Sequence, residues 1–126
     1  MTGVVGHESS NRDVQVIIGV DTHQDQHVAV AIDRQGVRLE ECHVPATTYG
    51  HAELEWWAHS LGKIQAFGIE GTGSYGSGVA RFLTERGYTV IEVNRPDRSV
   101  RRRKGKSDAT DAEMAARAVL AGVAVN

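Results

Sequence analysis

The chain contains a single cysteine, Cys42, so no internal disulfide can form. A protein without that staple must rely on a packed core, and one lone thiol fits a reducing compartment. No apolar run approaches the roughly 20 residues of a membrane span. The opening segment, MTGVVGHESSNRD, lacks the charged-then-apolar layout of a secretory leader. These absences lead to the expectation of a cytoplasmic protein. Neither sign of charge dominates, and the formal net charge is only −2.

That average hides an asymmetry. Seven of the fourteen basic residues lie between Arg95 and Lys106: Arg95, Arg98, Arg101, Arg102, Arg103, Lys104 and Lys106, against one acid, Asp97. The remainder has seven basic and fifteen acidic residues, a net of −8. A basic segment on an acidic body points to a local polyanion contact rather than a general one. A solvated loop is the plainer alternative.

With 126 residues, 40% of them hydrophobic, the chain can build one core and not two. Residues 1–13 read as a flexible polar tail and 14–126 as one domain. Val14 to Val20 is a buried strand ending at Asp21, and His27 to Ile32 is a second strand. Asp33-Arg34-Gln35-Gly36 is a hairpin connection. Val37 to Val44 is a third strand, which Pro45 stops. Leu54, Trp57, Ala58 and Leu61 then fall at helical spacing, closed by Gly62. Ile64 to Ile69 is a fourth strand ending at Glu70. A glycine-rich turn, Gly71 to Gly78, leads to a helix marked by Val79, Phe82 and Leu83 and capped by Gly87. Tyr88 to Val93 is a fifth strand. Ser107 is a good N-cap for a last helix over about Asp108 to Ala121.

The order βββαβαβα predicts an α/β fold with a mixed sheet of about five strands. The first three strands form an antiparallel meander, and the others join by parallel crossovers. This is the order of the RNase H-like fold.

Four carboxylates stand out. Asp21 and Glu70 each end a buried strand, where ligands of open α/β sheets gather. Taken singly, either acid is as well explained as a solvated turn residue. Asp108 and Asp111 share a face of the last helix with Ala112, Ala115 and Val119, while Glu113 and Arg117 point away. A helix dipole favours acids in the first turn by about 0.3–1 kcal/mol, but on any face. Clustered carboxylates repel unless a counter-ion joins them. Oxygen ligands suit Mg²⁺ or Mn²⁺, and two such ions can serve phosphodiester chemistry.

Other features carry less. The turn containing Gly71, Gly73, Gly76 and Gly78 lacks both the GxxxxGK[ST] and GxGxxG patterns, and reads as a tight strand-to-helix turn. His23 and His27 leave a metal role open, yet no cysteine or second histidine sits at a zinc-like spacing. His23 reads rather as a residue behind the metal ligands or a substrate contact, and His27 as structural or surface. Of the adjacent Trp56 and Trp57, one faces the core and the other faces outward. Cys42 reads as a small core or edge residue.

The segments GVDTHQDQHVAVAID, GIEGTGSYG and KSDATDAEMAARA resemble, in order, three segments of the DEDD-type insertion-sequence transposases, also called bridge-RNA-guided recombinases. The resemblance covers about residues 15–122. It implies a domain similar to the Holliday-junction resolvase RuvC, with Asp21, Glu70, Asp108 and Asp111 as catalytic and metal-binding acids for Mg²⁺ or Mn²⁺, two ions in all. Tyr75 matches an aromatic that follows the family's Glu, while Gln24 departs from a common lysine. The resemblance further implies DNA as substrate, a guide RNA, homo-oligomers of the full-length protein, and a bacterial or archaeal cytoplasm. It places a serine nucleophile in a C-terminal domain, which the sequence up to Asn126 does not contain. The expectation is therefore a fragment, or a natural remnant, with half of the catalytic apparatus. Two other functions compete: a nucleic-acid-binding module whose acids no longer act, and an actin or sugar-kinase type ATPase fragment.

The basic segment yields a first prediction. Binding of DNA or RNA by the chain weakens steeply with salt, because bound phosphates release counterions. Replacing Arg101, Arg102 and Arg103 with Ala flattens the slope of log affinity against log salt. An unchanged slope assigns the contact elsewhere.

Overall fold

Alternating apolar side chains along the central strand give it two buried faces, and the rest of the fold is layered on them. The computed structural model describes residues 14–94 and 107–122. The elements are β1 (Gln15–Thr22), β2 (Gln26–Asp33), β3 (Arg38–Pro45), α1 (Thr48–Leu61), β4 (Lys63–Glu70), α2 (Ser77–Glu85), β5 (Val90–Val93) and α3 (Asp108–Leu120). The sheet order is β3-β2-β1-β4-β5. β1–β2 and β2–β3 are antiparallel, whereas β1–β4 and β4–β5 are parallel. The mixed five-stranded sheet of the RNase H-like order is thus present, meander and crossovers included. No helix among the described residues is long and apolar enough to cross a membrane.

β1 sits in the middle and sorts its side chains by parity. Val16, Ile18 and Val20 join a large core with Phe67, Ile69, Leu54, Ala58, Val79 and Leu83, under α1 and α2. Ile17 faces the other way, into a smaller core with Val30, Ile32, Ala112 and Ala116 under α3. Period-two alternation puts Gly19 and Asp21 on that second face with Ile17, and Gly68 and Glu70 on the corresponding face of β4.

Local signals set the helix ends. Thr47 caps α1 by accepting a hydrogen bond from the Gly50 N–H at 3.0 Å, and Ser107 caps α3 by accepting from Thr110 N–H at 3.1 Å. At the end of α2, Gly87 takes φ +94°, a left-handed conformation that favours glycine. The Tyr88 N–H there bonds back to the Leu83 carbonyl. Tyr88 therefore finishes the helix cap, and β5 is shorter than the sequence implies, beginning at Val90. The outer faces are tied by ion pairs. Arg117 holds Glu113 one helical turn away, and Arg38 of β3 reaches Glu113 at 3.4 Å. On the opposite face, Arg86 and the Tyr88 hydroxyl both donate to Glu55 at 2.7 Å.

α3 lies on bare backbone. A Cβ at Gly19 would stand 1.9 Å from the Ala112 carbonyl oxygen and 2.5 Å from the Ala116 nitrogen. A Cβ at Gly68 would stand 2.5 Å from a Val119 methyl and 3.1 Å from the Ala115 carbonyl oxygen. Gly19→Ala should therefore destabilise the chain by about 1–3 kcal/mol or more in urea unfolding, since helix and sheet must separate. Gly73→Ala, where a Cβ meets nothing within 4 Å, should shift stability by no more than about 0.5 kcal/mol. Equal effects at the two sites would show that the helix is not seated on Gly19.

Candidate metal centre

Each strand-end acid lies two residues beyond a seam glycine, Asp21 after Gly19 and Glu70 after Gly68. Each helix acid lies one turn before a seam alanine, Asp108 before Ala112 and Asp111 before Ala115. The register of β1 with β4 pairs Gly19 with Gly68 and Val20 with Ile69, so the two strand ends run out side by side. Two residues of strand rise about 6.6 Å and one helical turn about 5.4 Å. The seam therefore carries all four acids to the same end of the sheet.

Their environments differ. Asp21 and Glu70 are buried, at 1% and 4% exposure. Both Glu70 carboxylate oxygens and Asp111 Oδ1 are shielded from solvent. Asp108, in the first turn of α3, is half exposed. Burial raises the Asp21 carboxyl from its ordinary 3.8 to about 6. His23 pulls against that rise, and the negative charges of Asp111 and Glu70 add to it. Asp21 thus responds electrostatically to both other elements of the site.

His23 contributes more than its sequence context suggested. Its Nε2 donates to Asp21 Oδ2 at 2.7 Å and lies 3.3 Å from Asp108 Oδ1. Donor atoms of Asp21, His23 and Asp108 lie within 4.8 Å of one another, a group able to hold a metal ion. The other Asp21 oxygen, Oδ1, is buried and has no hydrogen-bond partner among the described residues. An ionised carboxylate oxygen in that state is costly unless a cation meets it. The carboxylate oxygens of this set suit a divalent ion of the Mg²⁺ or Mn²⁺ kind.

The turn after β1 is fixed from two sides. Thr22 Oγ1 donates to the Glu70 carbonyl at 2.8 Å, joining the two strand ends directly. The His23 N–H donates to His27 Nδ1 at 3.3 Å. His27 is buried and stacks on His51, with ring centroids 5.9 Å apart. Burial pushes the His27 imidazole down to about 4, which keeps Nδ1 free to accept. His27 is thus structural, one of the two readings the sequence left open. Gly71, at φ +78°, and Gly76 pack against Thr22, so the glycine-rich segment is a tight turn bracing the site.

The remaining candidates fall as follows. Trp57 packs on the large core and donates to Glu40, while Trp56 is 76% exposed. Cys42 is half-buried on the edge strand β3, and burial pushes its thiol up to about 11, leaving it unreactive at neutral pH. Arg95, Arg98, Arg101, Arg102, Arg103, Lys104 and Lys106 lie outside the described residues. No sequence signal announced the aim of the His23 ring. Glycine two residues before each strand-end acid is the sequence feature that sits at the seam.

Asp21 ties metal-free stability to pH. Its folded-state pKa is raised, so between about pH 4 and 6 the folded chain holds a proton that the unfolded chain has lost. Its contribution is present at low pH and is lost as pH rises through that window. In chelator, Asp21→Asn should gain on the wild type by up to about 3 kcal/mol between pH 4 and 7 in urea unfolding. A pH-independent difference between the two would contradict the assignment.

No curated protein matches the chain. Among solved structures, the crystal structure of the Thermoplasma acidophilum Pelota protein is similar over 90% of this chain and 41% of its own, at 20% identity and a TM-score of 0.36. This chain thus spans less than half of that protein's length, and a likeness so distant carries no argument about fold or chemistry. The family model of the IS110-type DEDD transposases, described as a transposase, matches residues 18–123. That span includes Asp21, Glu70, Asp108 and Asp111 and most of the sequence, and the chain belongs to the DEDD transposase family.

Proposed function

We propose that the chain is the metal-dependent catalytic domain of a DNA transposase, in which Asp21, Glu70, Asp108 and Asp111 hold divalent cations for strand cleavage and joining. The observation that carries this reading is the buried Asp21. One of its oxygens has no hydrogen-bond partner among the described residues, and its proton affinity is raised in part by Asp111 and Glu70. A fold that gathers like charges around a buried carboxylate loses stability by it, and a cation is the compensation that chemistry offers.

Bound Mg²⁺ or Mn²⁺, one ion or two, would supply Lewis-acid stabilisation of the oxygens of a phosphodiester under attack. The chain's own groups do the rest. Thr22 holds the β1 and β4 ends in register through the Glu70 carbonyl. The alanine–glycine seam fixes the depth of α3. Asp108 is half exposed and Asp111 Oδ1 is shielded, so on this reading a nucleic-acid strand would approach the site from the Asp108 side. The basic residues Arg95 to Lys106 directly precede α3 in the sequence and would bind phosphates of DNA or of a guide RNA.

Joining DNA covalently to protein also requires an activated hydroxyl with a positioned base. Among the described residues, Ser74 donates to the Gly71 carbonyl and Ser107 serves as a helix cap, so neither has that setting. We assign the nucleophile to a serine outside this chain, in a C-terminal domain of a longer, oligomeric protein of a bacterial or archaeal cytoplasm.

Adding Mn²⁺ should stabilise the wild-type chain against urea by about 2.7 kcal/mol at one hundred times the dissociation constant. Asp21→Asn and Asp108→Asn should each remove most of that gain. With DNA and Mn²⁺ the chain alone should form no covalent adduct. Stabilisation that survives both substitutions would refute the metal site, and an adduct formed by the isolated chain would refute the assignment of the nucleophile.

A further inference from the structure

We infer that His23 is a nitrogen ligand of the cation that Asp21 and Asp108 hold, and that it shifts the site's preference from Mg²⁺ toward Mn²⁺ and other transition ions. The inference rests on the metal-dependent reading above and adds a donor that this reading leaves out.

The distances suit a shared ion. Neighbouring donors on an octahedral cation with bonds of about 2.1 Å stand about 3 Å apart. His23 Nε2 lies 2.7 Å from Asp21 Oδ2 and 3.3 Å from Asp108 Oδ1, one on each side of that value. All three donors lie within 4.8 Å of one another. A second observation calls for a ligand independently. Asp21, at 1% exposure, retains a shielded oxygen with no hydrogen-bond partner among the described residues.

The ring's position is built in. Thr22 is anchored to the Glu70 carbonyl, and the His23 N–H is held by His27 Nδ1. Residue 23 is therefore gripped on both sides, and its side chain leaves the turn toward the two carboxylates. With a cation bound, Nε2 offers its lone pair and the ring proton resides on Nδ1.

Imidazole is a poor ligand for Mg²⁺, which favours oxygen and retains its waters, and a good one for transition ions. A ring that acted only as counter-charge to two carboxylates would leave when a cation arrived. The two roles differ in whether the bound metal senses nitrogen.

The test uses the whole chain with Mn²⁺ and Mg²⁺ as probes. Electron spin echo modulation of bound Mn²⁺ should show imidazole nitrogen in the wild type and lose it in His23→Ala and His23→Asp. Calorimetric titration should show His23→Asp, which keeps an oxygen donor, lowering the ratio of Mn²⁺ to Mg²⁺ affinity about tenfold or more. Circular dichroism checks that both variants fold, which is expected because His23 is 38% exposed. Mn²⁺ that binds without nitrogen modulation, modulation that persists in His23→Asp, or an unchanged ratio overturns this inference and leaves the four-carboxylate reading standing. A wild type that binds neither ion overturns both.

Discussion

The depth at which α3 rests on the sheet governs everything else at the site. Ala112 and Ala115 sit against Gly19 and Gly68; a Cβ added at Gly19 would collide with helix backbone, and one at Gly68 with the Val119 side chain. Side chains of ordinary size at these positions would hold the helix off the strands. Asp108 and Asp111 would then be lifted away from Asp21 and Glu70. The small core beneath α3 is sparing in apolar area for the same reason, resting on Ile17, Val30, Ile32, Ala112 and Ala116. The larger core beneath α1 and α2, with Phe67, Leu54, Ile69 and Leu83, provides most of the burial. Stability and site geometry are thus divided between the two faces of one sheet.

That division has an electrostatic consequence. The face with the closer packing is also the one that gathers acids. Burial raises Asp21 to about 6 even with His23 alongside. The unfavourable charge cluster is tolerated because the opposite face, the helix caps and the outer ion pairs, such as Arg86 with Glu55, stabilise the fold independently. On the proposed reading, the metal-free chain would gain stability from a divalent cation. That gain would be the basis of function, since the groups that destabilise the metal-free fold are those proposed to hold the ion.

Much of the fold was legible from periodicity. The apolar run before Asp21, the meander, both crossovers and the N-cap Ser107 follow from local patterns that the structure keeps. The acids were legible as strand ends and as one face of a helix. Their partners were not. His23 lies in a short polar turn, where no periodicity governs side-chain direction. Its aim depends on His27, which stacks on His51 from a distant helix. Tyr88 carries strand propensity, yet its N–H completes the cap of α2, so tertiary and capping demands shorten β5. Gly19 and Gly68 were visible as glycines within strands, but a glycine in a strand does not say what approaches it.

The most direct test of the four-carboxylate centre is a crystal structure of the chain grown with Mn²⁺ and measured for the anomalous signal of manganese. The account predicts a peak at the carboxyl ends of β1 and β4, bounded by Asp21, Glu70, Asp108 and Asp111. A manganese peak elsewhere with that position empty, or Asp111 turned to bulk solvent and far from Asp21, would contradict it.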